Sequence, residues 1–210
     1  LKMFNNKVPV VFVGEGLRSG GHYLIFLLDN HPNISCIPIE IQFYRYWEEL
    51  NCEQIIDPDQ LAEVICTQFR IKRLRTGDLH HLADNRGKWE FDFDCFYSWL
   101  KSRIKVNGPD LGAVVVAIHE AYFLALGHDL DELKVIVVGG DSYFKDHYSN
   151  YFSDFVDVSF LGLVRSPVAA LTSNKMTTLT MKNNSLTDWK DSHGHRDMLT
   201  WMHEFQFQIN

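Results

Sequence analysis

Two short stretches of this 210-residue chain carry glycine, arginine and hydroxyl residues at spacings suited to holding phosphate: GEGLRSGGHYL, from Gly14 to Leu24, and LVRSPVAALTSN, from Leu163 to Asn174. Gly16 to Gly21 has the G-x-x-x-x-G frame in which consecutive backbone N–H groups and a helix start surround an anion. Arg18 lies inside the frame and can add positive charge and planar donors. His22 and Tyr23 follow, where a loop for ATP and magnesium needs a lysine and then a serine or threonine hydroxyl. The phosphate cradle is there and the metal ligand is not. In the second stretch Arg165 ends an apolar run, Pro167 stands at a helix start and Ser173 comes eight residues after the arginine. A guanidinium and a hydroxyl so placed can converge on one phosphate. A glycine-rich turn can also serve close packing alone, but two anion sites on one sheet edge suit a ligand with phosphate at both ends.

The elements that must position these residues are legible as alternating strands and helices. Val8 to Val13 is a short, uncharged, β-branched run ending at glycine, the pattern of a strand buried on both faces of a parallel sheet. Gly21 to Asn30 follows as a helix, with Leu24, Leu27 and Leu28 as its buried stripe and HPN as its end. Asp57 and Pro58 start a second helix carrying Leu61, Val64, Ile65 and Phe69 on one face. A third is expected across Asp94 to Val106. A fourth runs from near Pro109 through AVVVAIHEAYFLAL, whose valines leave a strand open at its start. Leu133 to Asp141 and Val158 to Pro167 are again short apolar runs ending at a turn. The alternation predicts one α/β domain over residues 1–210, with a central, mostly parallel sheet and helices on both faces. Ligands of such sheets bind beyond the carboxyl ends of the strands, here after Val13, Val138 and Val164.

Composition narrows the partners. At 46% hydrophobic, with 15 Phe, 8 Tyr and 5 Trp, the chain can bury a sizeable core and is not a disordered segment. A net charge of −7 excludes a general basic field for nucleic acid but leaves room for a local anion pocket, so a small-molecule partner is expected. Cys36, Cys52, Cys66 and Cys95 show no CxxC spacing, so no zinc site is expected from them, and scattered thiols suit a reducing compartment. No stretch has the length of a membrane span and LKMFNNKVPVVFV lacks a signal-peptide pattern, so a cytoplasmic location is expected. His80, His81, His193 and His195 are expected to be exposed loop histidines, and Leu186 to Arg196 a flap over a bound nucleotide.

VFVGEGLRSGGHYLIFLLDNHPNI resembles the 5′-phosphosulfate loop of sulfotransferases that use 3′-phosphoadenosine 5′-phosphosulfate (PAPS), with its R-S-G-T-T-x-L and following D-x-H-P. LVRSPVAALTSN is similar to their 3′-phosphate motif R-D-P-x5-S-N, with Ser166 replacing the aspartate. The two occur in the family's order, and the likeness is greatest to carbohydrate, tyrosylprotein and related bacterial sulfotransferases. The resemblance implies a P-loop-like sulfotransferase fold and a sulfuryl transfer from PAPS to a hydroxyl of a carbohydrate, a tyrosine or a small metabolite. It implies 3′,5′-adenosine bisphosphate as the product and no metal.

Residue by residue, the resemblance implies that Arg18, Ser19, Gly20, Gly21, His22 and Tyr23 surround the sulfate-bearing phosphate, and that Arg165 and Ser173 hold the 3′-phosphate. Arg18 would stabilise the leaving oxygen. Gly21 and His22 stand where the family keeps two hydroxyls, so His22 either replaces their hydrogen bonds or serves in proton transfer, for which an imidazole is suited near neutrality. For the general base, the glutamate that follows HPDVRCGE in tyrosylprotein sulfotransferases suggests Glu40, displaced along HPNISCIPIE. After the third apolar run, Gly140, Asp141 and Ser142 replace the usual catalytic lysine or histidine, leaving Asp141 as a second candidate. These departures keep a non-catalytic nucleotide-binding descendant open, and behind it an ATP-dependent P-loop kinase. His119 is expected in the core, with the acceptor cleft as its alternative. Family members continue with further helices and an acceptor-binding segment, so part of the fold is expected to lie beyond residue 210.

Overall fold

The computed structural model describes residues 8–15, 20–67, 69–76, 91–139 and 154–163, together with Ser166 and Ala169. Four strands, β1 (Val10–Glu15), β2 (Ile34–Cys36), β3 (Val135–Gly139) and β4 (Val158–Leu163), form an all-parallel sheet in the order β2-β3-β1-β4. Successive side chains of a strand point to opposite faces. In β1 both sets are buried, since Val10, Phe12 and Val13 are at most 1% exposed, and in β3 Ile136, Val137 and Val138 are buried too. Both faces of the central pair are therefore covered, as parallel strands require. Along β4, by contrast, Ser159, Leu161 and Gly162 are exposed and alternate in part with half-buried neighbours.

Six α-helices are described: α1 (Gly21–Leu28), α2 (Phe43–Glu49), α3 (Pro58–Thr67), α4 (Phe69–Thr76), α5 (Phe93–Asn107) and α6 (Leu111–Ala125). α3 begins as the sequence predicts, with the Asp57 carboxylate accepting from the Gln60 amide at 2.8 Å. Phe69, however, opens a separate helix, α4. Asp92 caps α5 by accepting from the Cys95 amide at 2.9 Å. The valine-rich segment is helical throughout: Val114, Val115 and Val116 lie within α6, which is buried on all sides. A helix surrounded by protein gains from apolar residues around its whole circumference, and this outweighs the modest helix cost of valine. α5 is clamped to α6 by Glu120, whose Oε2 accepts from Arg103 Nε at 2.7 Å and from Asn107 Nδ2 at 2.8 Å.

The buried face of α1 differs from the predicted stripe. Gly21, Ile25 and Phe26 are buried, Leu24 and Leu28 are half-buried and Leu27 is 57% exposed. The cause is Gly139 at the end of β3. A methyl group on its Cα would overlap the Cγ2 of Ile25, so the helix rests directly on the strand backbone through that side chain. The other end of α1 is held by Tyr122 of α6, whose hydroxyl donates to Asp29 Oδ1 at 2.7 Å. Tyr44 of α2 donates to Asp154 Oδ2 at 2.6 Å and ties that helix to the segment entering β4. No helix among the described residues is long and apolar enough to cross a membrane.

Candidate functional site

The four described strands being parallel, their carboxyl ends open onto one edge of the sheet. β1 and β4 are paired from Val10 with Val158 to Glu15 with Leu163, so these two strands end side by side. β3 ends on the other side of β1, where Gly139 pairs with Val13, and β2 lies next, with Cys36 paired to Val137. The glycine-rich loop leaves the end of β1 and the VRSP segment leaves the end of β4. The two candidate phosphate motifs thus start from neighbouring strand ends. Arg18, Ser19, Asp141, Arg165 and Ser173 lie outside the described residues, as do the histidines 80, 81, 193 and 195 and the segment 186–196.

The loop closes into α1 at Gly20, whose φ of 104° is a conformation that a side chain would disfavour. No side-chain hydrogen bond caps the helix there. Gly21 is buried in the first turn, and Tyr23 is 62% exposed, its ring turned to the surface. His22, the second residue of the helix, points toward the segment that follows β2. There Glu40 meets it, with His22 Nε2 and Glu40 Oε1 3.0 Å apart. The imidazole side chain is 38% exposed and the carboxylate 16%. Glu40 is fixed by its surroundings, because Ile37, Ile39 and Ile41 on either side of it are all buried. Two residues that the sequence singles out for separate reasons are therefore one close imidazole–carboxylate pair at the carboxyl edge of the sheet.

Other candidates fall away from this edge. His119 is 1% exposed within α6, and the Ser35 hydroxyl donates to its carbonyl at 2.8 Å and lies 3.3 Å from its Nδ1. With the hydroxyl proton on the carbonyl, the serine oxygen accepts from Nδ1–H, so the ring is neutral and Nδ1-protonated. It is a core histidine, and burial lowers its pKa from 6.5 to about 3. Between those values the unfolded chain binds more protons than the folded one, so this residue makes stability fall as pH falls. The expected loss reaches about 2 kcal/mol at pH 5. Denaturant titrations at pH 7 and pH 5 should show a shallower acid slope in His119→Gln than in the wild type; equal slopes would exclude the buried neutral imidazole.

All four cysteines are free. Burial raises the Cys36 thiol and pushes Cys66 up to about 12, which makes neither a nucleophile. Among the described residues no group of three or more histidine, cysteine, aspartate or glutamate side chains could hold a metal. A cavity of about 30 Å³ lies behind α2, between Phe43, Trp47, Ile65, Ile71 and Ile118. It has room for little more than a water and an apolar lining that would keep it dry, so it is a packing gap and not an acceptor site. Comparison of the chain with protein-family models, with curated proteins and with solved structures returns no match.

Proposed function

We propose that this chain binds PAPS across the carboxyl edge of the sheet and transfers its sulfuryl group to a hydroxyl acceptor. The observation that carries the reading is the in-register pairing of β1 with β4, which starts the two arginine-bearing segments from adjacent strand ends. A ligand with phosphate groups at its 5′ and 3′ positions calls for two anion sites a few ångströms apart on one edge. In the order β2-β3-β1-β4 the chain leaving β1 runs to one side, toward β2, and the chain leaving its neighbour β3 runs to the other, toward β4, the kind of crevice in which open α/β sheets bind nucleotides. The sequence after the loop supports PAPS over ATP with magnesium, because His22 and Tyr23 supply neither the lysine nor the metal-binding hydroxyl that ATP chemistry uses.

In the reaction the acceptor oxygen forms a bond to sulfur as the bond from sulfur to the bridging oxygen of the 5′-phosphate breaks. The nucleotide leaves as 3′,5′-adenosine bisphosphate, and the acceptor's proton passes to a base on the protein. Arg18 and the loop amides meet the charge that develops on the leaving oxygen. Arg165 and Ser173 hold the 3′-phosphate and fix the donor for in-line attack.

Thermal denaturation with added nucleotide tests the reading. Adenosine 3′,5′-bisphosphate without metal should raise the melting temperature, and Arg165→Ala should weaken its binding about ten- to a hundredfold, as expected for loss of a charge-assisted hydrogen bond. A response to ATP with magnesium alone would sink the proposal. A bisphosphate response accompanied by no sulfate transfer to any of a panel of acceptors would instead identify a nucleotide-binding protein without activity.

A further inference from the structure

We propose that His22 and Glu40 work as one proton-accepting unit, in which the imidazole takes the acceptor's proton and Glu40 is the positioning residue behind it. The inference rests on the sulfuryl-transfer reading and assigns the base that the reading leaves open. Three features of the pair set the roles. First, a carboxylate can only accept, so the ring nitrogen facing it at 3.0 Å carries the hydrogen. In the tautomer this contact favours, the hydrogen sits on Nε2 and the lone pair that can take a proton is on Nδ1. Second, the imidazole is the more exposed partner at 38%, against 16% for the carboxylate. An incoming hydroxyl meets the ring before it meets Glu40. Third, the two groups come from different elements. His22 stands in the first turn of α1, directly after the glycine loop, and Glu40 follows β2 on a segment pinned by buried isoleucines. The ring is thereby fixed beside the turn where the donor phosphate would lie.

When the acceptor oxygen bonds to sulfur, its proton moves to Nδ1 and the ring becomes an imidazolium. The positive end of the α1 helix is an unfavourable neighbour for that cation, and the Glu40 carboxylate, 3.0 Å from the ring, offsets it as an ion pair. Glu40 thus acts through His22, not on the acceptor.

A double-mutant cycle, read as sulfate released from labelled PAPS with water as the acceptor, separates this arrangement from one in which Glu40 is the base. His22→Ala is expected to lower kcat by about a hundredfold or more. Glu40→Gln, which keeps an acceptor oxygen but not the charge, should lower kcat about tenfold and leave KM for PAPS unchanged. Glu40→Ala introduced into His22→Ala should cost nothing further, because residues acting as a unit are not additive. In ¹⁵N spectra of the wild type, His22 should show a protonated Nε2. A Glu40→Ala loss larger than that of His22→Ala, additive losses, an Nδ1-protonated ring, or wild-type release no faster than free PAPS hydrolysis each overturns the proposal. Binding of adenosine 3′,5′-bisphosphate is measured in parallel. If the bisphosphate binds and the cycle is additive, only the dyad falls; if it does not bind, the donor reading falls with it.

Discussion

Replacing Phe12 by alanine is expected to remove about 3–5 kcal/mol of folding stability. The ring is 1% exposed in the middle of β1, the strand that pairs on both sides. It meets Phe155 edge-on, with centroids 5.5 Å apart at 67°, and stacks on Phe160 at 5.9 Å and 22°. Phe160 is also its register partner across the β1–β4 ladder. Truncation therefore loses the transfer energy of the ring and two aromatic contacts, and leaves a gap on the sheet face that the hydrogen-bonded strands cannot shift to close. Urea titration should show the midpoint falling with an unchanged slope. A loss below about 1 kcal/mol would mean that the aromatic cluster on the β1–β4 face contributes far less than its burial indicates.

The second large effect is expected at Gly139. Gly139→Ala should cost about 1–3 kcal/mol although alanine is an ordinary residue in a strand, because the new methyl overlaps Ile25 Cγ2. The neighbouring Ile25 Cβ and Cδ1 would stand 3.3 and 3.4 Å away, so rotating that side chain gives little relief. α1 must back off the sheet, and His22 in its first turn moves with it. Ile25→Ala removes the obstructing atom and by itself costs about 2–5 kcal/mol through the cavity it leaves. The double variant should be more stable than the sum of the two single losses by at least about 1 kcal/mol. Strict additivity would show that α1 does not bear on β3 at this point.

The sequence is informative where one element's character lies in its own residues. Val10 to Glu15, Val135 to Gly139 and Val158 to Leu163 are β-branched or apolar runs closed by a turn, and they are strands. β2 has only three residues, too short for any periodicity to show, and the aromatic α2 carries no cap that would announce it. Leu27 illustrates a different limit. Leucine spacing alone favours a stripe through Leu24, Leu27 and Leu28, but the rotation of α1 is set by a glycine more than a hundred residues away. The same holds at the candidate site. His22 and Glu40 are each visible as titratable residues near an expected strand end, while their pairing depends on β2 placing the segment after it beside the start of α1. A three-residue strand fixed that geometry, and nothing in its composition signals it.

The position of β1 in the sheet also sets an order of events in folding. Val10 finds its partners at Ile136 and Val158, whereas α5 and α6 adjoin in the chain and pack on each other. The helical pair can close early, since its contacts are nearly local; the strand that anchors the glycine loop must wait for long-range closure. At about 5–20 residues per second, a nascent chain would carry that apolar strand unpaired for on the order of ten seconds before its first neighbour exists. During that interval Val10–Val13 is a bare β segment, and the ribosome-bound chain has the most reason to need a chaperone there.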